Sequence, residues 1–115
     1  MAEYTVVSKE AEYTPEWDGN REKSEPIVAT LAYITAEQRS QCISGRRVAG
    51  DIAVAIDYGK AVRHGLRGIR GLVVNKKRVL TADDLMDLSG FDGLFMEIAL
   101  RIWNMNARED MSPLP

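Results

Sequence analysis

The stretch P-I-V-A-T-L-A-Y-I-T-A-E-Q, residues 26–38, holds a strand, its end and the start of a helix. Side chains alternate over residues 27–34, so Ile27, Leu31 and Tyr33 share the face best suited to a core. Thr35 stands three residues before Gln38. At that spacing a hydroxyl accepts the N3 amide, and the glutamine reaches back to the amide of the cap. The hydrophobic period changes from two to 3.6 at this point, so the chain must combine sheet and helix. An α+β fold is expected, with a small antiparallel sheet packed with three to four helices and an amphipathic helix at the C-terminal end.

Upstream, residues 4–8 (Y-T-V-V-S) are β-branched and aromatic and predict a short strand, followed by polar chain as far as Pro26. Trp17-Asp18-Gly19-Asn20 carries a turn signal, the run R-E-K-S-E at 21–25 reads as exposed loop, and Trp17 is expected to lie over the core as a lid. Downstream, Val48-Ile52-Ala55 and Tyr58-Val62-Leu66 recur at helical spacing. They predict a helix over 48–64 that closes near His64-Gly65, where glycine can take the left-handed position. Leu72-Val73-Val74 and Arg78-Val79-Leu80 flank Asn75-Lys76-Lys77 as a hairpin would.

Thr81 and Asp84 repeat the capping pattern and open a short helix over 82–88, which Ser89-Gly90 ends. Phe91, Leu94, Phe95, Ile98, Ile102 and Met105 then recur at helical spacing and predict a long helix over 91–106, with Glu97 facing Arg101 at i, i+4. These elements make one α+β domain over 1–108. The remainder, 109–115, has two prolines and few apolar anchors and is expected to be a flexible tail.

At 115 residues, 45% hydrophobic, 28% charged and with a net charge of −2, the chain has the composition of a globular protein. The negative balance argues against wholesale attraction to a polyanion. Cys42 is the only cysteine, which excludes an internal disulfide and reads as a small buried hydrophobe. The start carries Glu3 and Glu10, lacks a basic leader region, and has no apolar run of signal-peptide length. Residues 27–34 are far shorter than the ~20 residues a membrane span requires. A cytoplasmic site of action without membrane contact is expected.

Catalytic chemistry is sparse. His64 is the only histidine, so a triad, a zinc cluster or a Cys/His dyad would each rest on one unsupported residue, and no phosphate-binding loop is present. No enzyme activity, cofactor or metal is expected. Asp83, Asp84, Asp87 and Asp92 suggest calcium at first sight. Aligning Gly90 with the loop glycine of an EF-hand puts Leu85 at the first ligand position and Met96 at the last, which excludes that site. Helix N-terminal charge explains these aspartates instead.

From Lys60 to Arg78 the chain carries seven Lys/Arg (Lys60, Arg63, Arg67, Arg70, Lys76, Lys77, Arg78) and no acid. Arg63, Arg67 and Arg70 would line one face of a continued helix and contact phosphates. Gly65, Gly68 and Gly71 argue against that helix, and no Phe, Tyr or Trp lies between 59 and 78 to stack a base. Leu66, Ile69 and Leu72 read as pegs tying an irregular crossing segment to the core, with the arginines in water. Arg63, Arg67, Arg70, Lys76 and Lys77 then remain as an electrostatic contact for an acidic protein partner.

The order of parts resembles a known family. An N-terminal strand, the Trp17-x-Gly19-Asn20 turn, P-I-V-x-x-L-x-Y-I-T-x-E-Q at 26–38, a passage into H-G-L-R-G-I-R-G-L, and L-T-A-D-D-L-M-D-L-S-G-F-D-G-L-F-M-E-I are similar to small tail assembly chaperone-like proteins of long-tailed bacteriophages. The resemblance implies a non-enzymatic factor of the host cytoplasm. Such a factor binds the long apolar tape measure protein, keeps it soluble, and helps tail tube protein polymerise around it. That role needs an apolar surface that accepts helices, which Phe95, Ile98, Ile102, Trp103 and Met105 offer, and it leaves homo-oligomerisation open. Two other readings stand beside it: a structural virion component of tail or head completion, and a small DNA-binding protein using segment 60–78.

Overall fold

The computed structural model describes residues 3–6, 10–105 and 111–113. Strand β3 (Val28–Ala32) is the centre of a three-stranded antiparallel sheet, with β2 (Glu10–Tyr13) on one side and β6 (Leu66–Arg70) on the other. Helices α2 (Tyr58–Gly65) and α4 (Asp92–Asn104) pack against each other and against one face of that sheet. Ala29 and Leu31 of β3, Val62 of α2, Leu66 and Ile69 of β6, and Leu94, Ile98 and Ile102 of α4 form the core. Each fully buried Leu or Ile contributes on the order of 1.5–3 kcal/mol. The mixed α+β fold with its C-terminal helix is therefore as the sequence predicts. The strands form four small antiparallel sheets among the described residues rather than one.

The strand-to-helix junction has the expected chemistry. Thr35 Oγ1 accepts from the Gln38 amide at 3.1 Å and Gln38 Oε1 from the Thr35 amide at 3.0 Å, opening α1 (Ala36–Gln41). A second capping box opens α3 (Ala82–Met86), where Asp84 Oδ2 accepts from the amides of Leu80 at 3.1 Å and Thr81 at 3.2 Å. The predicted hairpin is present as β7 (Val73–Val74) and β8 (Lys77–Arg78), joined by a two-residue turn in which Asn75 and Lys76 both have positive φ.

The segment 66–70 is not an irregular crossing. It is the edge strand β6, and a shift of register between Thr30 and Leu31 sets Leu66 opposite Leu31 but Gly68 opposite Thr30. Arg67 is the extra residue of this bulge. One inserted residue turns a period of two into a spacing of three, so Leu66 and Ile69 both reach the core while Arg67 and Arg70 face water. The helix-like spacing of pegs and arginines in the sequence is the signature of the bulge. Arg70 pairs with Glu12 across the solvent face of the sheet at 2.7 Å, a contact that lowers the Glu12 carboxyl below its usual range.

The largest departure concerns residues 48–64. Only 58–65 is helical there, and 43–56 forms a hairpin of β4 (Ile43–Val48) and β5 (Asp51–Ile56). The spacing Val48-Ile52-Ala55 is real, but so is the alternation Ile52-Val54-Ile56, and β-branched residues favour the strand. Ala49 (φ 50°) and Gly50 (φ 86°) supply the two positive φ values of a primed two-residue turn. Gly65 ends α2 as expected, but not through a left-handed conformation. It is absent from the positive-φ glycines, and its hydrogen atoms face Ile102, whose Cδ1 would lie 3.1 Å from any added Cβ.

The polar chain before Pro26 is more ordered than its composition suggests, since it contains β2. Trp17 lies part-buried against the core, 5.2 Å from the Phe91 ring, as a lid would. Of the strand predicted over 4–8, Tyr4–Val6 forms β1 and pairs with β9 (Met111–Pro113); Val7 and Ser8 lie outside the described residues. Asn106 and the rest of the tail 109–115 lie outside them too.

Glu97 does more than face Arg101. Its carboxylate accepts from the Tyr13 hydroxyl at 2.7 Å and from the amides of Glu16 at 2.7 Å and Trp17 at 2.9 Å, which fastens the N-terminal segment to α4. Burial first, then the hydrogen bond to Glu97 and its negative charge, push the Tyr13 phenol above its ordinary value. A phenol held this way keeps its proton more tightly when folded. Its contribution is complete below about pH 10 and is lost as pH rises through the raised folded value. Tyr13→Phe should therefore lose less stability than wild type between about pH 8 and pH 11, as read by urea melts at the two pH values. Equal losses in both proteins would show that this phenol is not linked to folding.

Candidate protein-interaction site

The β4–β5 hairpin is an arm. Its base is closed by the Asp57 amide donating to the Cys42 carbonyl at 2.7 Å, where the buried Cys42 thiol ends α1 and is pushed up by burial and by Asp57. From there the two strands pair over six positions and hydrogen-bond to no other strand among the described residues. Six residues at about 3.3 Å each carry the turn roughly 20 Å from the base.

Register decides which side chains share a face. Ile43 opposes Ile56, Gly45 opposes Val54, and Arg47 opposes Ile52, so these six residues form one side of the ribbon. That side is apolar but for Arg47, and it is bare: Ile52 is 70% exposed, Val54 64% and Ile43 42%. Single exposed aliphatics mean little, whereas three on one face of a two-stranded ribbon are a contact surface. A ribbon of two strands is itself marginal in water, so covering this face would stabilise it.

A second surface lies between α3 and α4. Leu85, Met86, Leu88, Phe91 and Phe95 line a hollow of about 150 Å³, with Asp92 at its rim. Asp87 stands beside it in an adjoining depression formed with Arg63, Asp83, Asp84 and Met86.

The residues expected to bind a partner are mostly elsewhere. Ile98 and Ile102 have no exposed surface and Met105 is 8% exposed; all three belong to the core and are withdrawn as surface contacts, because α4 is covered by both the sheet and α2. Trp103 is part-buried, with the Arg39 guanidinium 4.5 Å over its ring and donating to its carbonyl at 2.9 Å. Phe95 lines the hollow between α3 and α4, while Trp103 and Met105 border a separate depression with Arg39 and Asn104. Ile52 and Val54 were missed because a helix over 48–64 sets residues two apart on nearly opposite sides, and Ile43 lies outside that helix and was not singled out. The alternation I-A-V-A-I following Gly50 was the available signal.

The basic residues do not form one strip. Arg63 sits on α2 and pairs with Asp83 at 3.3 Å, Arg67 and Arg70 sit on β6, Lys76 occupies the β7–β8 turn and Lys77 the strand after it. Among the described residues, no group of three or more His, Cys, Asp or Glu could hold a metal ion, and no helix is long and apolar enough to cross a membrane. No protein-family model matches this chain, and no curated protein or solved structure matches it.

Proposed function

We propose that this chain is a non-catalytic binding factor, and that it acts as a tail assembly chaperone holding the tape measure protein in the host cytoplasm before and during tail assembly. The observation that carries the reading is the bare apolar side of the β4–β5 arm, Ile43, Ile52 and Val54. An apolar ribbon face can lie along the apolar stripe of an amphipathic helix, the element such a client offers in quantity. The resemblance in residues 26–38 and 80–98 supplies the biological context. Binding by the arm rather than by α4 is the change the fold imposes on that context, since the apolar side of α4 is already used in the core. The DNA-binding alternative has less support, because Arg63 and Arg70 already face Asp83 and Glu12.

Co-expression tests the proposal. Wild type should keep a long amphipathic tape measure protein in the soluble fraction, and the double variant Ile52→Thr/Val54→Thr should not, since threonine keeps the β-branched shape and removes apolar area. An equally soluble client with the variant would reject the arm as the binding element. Finding the protein in purified virions would point to a structural component instead.

A further inference from the structure

The arm and the hollow are complementary. On the apolar side of the arm Arg47 lies directly across from Ile52. At the hollow, whose lining mixes polar and apolar surface, Asp92 is exposed, and Asp87 is exposed in the depression beside it. None of these three charged residues has an ion-pair partner among the described residues. An open hollow of about 150 Å³ has room for one branched aliphatic side chain. Within one molecule the arm packs chiefly on itself and on α1, not on α3 or α4, so the contact is made between molecules.

We propose that the apolar side of the arm docks into the α3–α4 hollow of a second copy of this chain, Ile52 or Val54 filling the hollow and Arg47 meeting Asp87 and Asp92. Two different surfaces are joined, so the contact is head-to-tail and the pair keeps one arm, on one copy, and one hollow, on the other, open for the next. A two-fold pairing of β5 with β5 centred on Val54 is a less favourable contact, since it sets Asp51 of each copy opposite Asp57 of the other, like charge against like. Head-to-tail docking also covers the face that a client would use, so the assembled form stores the arm until a client displaces it. This proposal rests on the arm being a binding element and not on the identity of the client.

The test uses the full-length chain without client, by sedimentation velocity over a concentration series. Wild type should assemble stepwise beyond the dimer and weaken as salt is raised. Ile52→Thr/Val54→Thr and, separately, Asp87→Lys/Asp92→Asn should each weaken association at least roughly tenfold while their thermal melts stay cooperative. Mixing those two variants should give a dimer and nothing larger, since one intact arm meets one intact hollow. Arg47→Glu should restore association to Asp87→Lys. A monomeric wild type at every concentration overturns the proposal and leaves the client test standing. Assembly that survives the hollow variant, or a mixture that stays monomeric, overturns it in favour of arm-to-arm pairing or of an unrelated contact.

Discussion

Replacing Asn20 by alanine should cost about 3–4 kcal/mol and lower the melting temperature by roughly 12 °C or more, a larger loss than from any single surface substitution. Asn20 is the one buried polar residue among the described ones, with no exposed surface. Its Nδ2 donates to the carbonyls of Pro15 at 2.8 Å and Ile27 at 3.0 Å, and its Oδ1 accepts from the Ile27 amide at 2.7 Å. The side chain thus stands in for a strand partner at the entrance to β3 and ties it to the turn at 17–22. Alanine leaves three backbone groups without partners, and a buried unsatisfied group costs about 1–3 kcal/mol. Asn20→Asp keeps the shape but sets carboxylate oxygen against two carbonyls, so it should be at least as damaging. Urea melts check both. A stable Asn20→Asp would mean that shape rather than hydrogen-bond polarity matters at this position.

Gly65→Ala is the second large effect, and its sign is informative. Alanine in place of glycine in a helix is worth up to about 1 kcal/mol on propensity alone, so a reading from sequence expects stabilisation. The structure predicts a loss of about 1–3 kcal/mol, because the new Cβ would overlap the Ile102 side chain in a filled core. Ile102→Ala alone opens a cavity and should cost about 2–5 kcal/mol. In the double variant the alanine methyl occupies part of that space. The combined loss should fall short of the sum by about 0.5–3 kcal/mol. Strict additivity, or a stabilised Gly65→Ala, would show that α2 and α4 shift apart without cost.

These two residues mark the limit of what local pattern reveals. Asn20 reads in sequence as the end of a turn, and the turn is there, with Asp18 and Gly19 at positive φ. Nothing in W-D-G-N says that the asparagine side chain is consumed by Pro15 and Ile27. Gly65 reads as a helix terminator, and the helix does end there. The reason for glycine lies 37 residues away at Ile102, and only contact between helices exposes it.

The capping boxes at Thr35 and Thr81, the alternation over 27–34, and the periodicity of α4 are local rules, satisfied by residues within four positions of one another, and sequence alone determined them. Segment 43–56 obeys two periods at once, and the choice between them belongs to tertiary structure. With β-branched residues and a primed turn available, the hairpin wins. That choice moved the exposed apolar surface from α4 to the arm. Helix α4 looks like a binding face when read alone, because a stripe that meets a sheet on one side and a helix on the other is as wide as one that awaits a partner. Only the packing of α2 and β3 against it shows which it is.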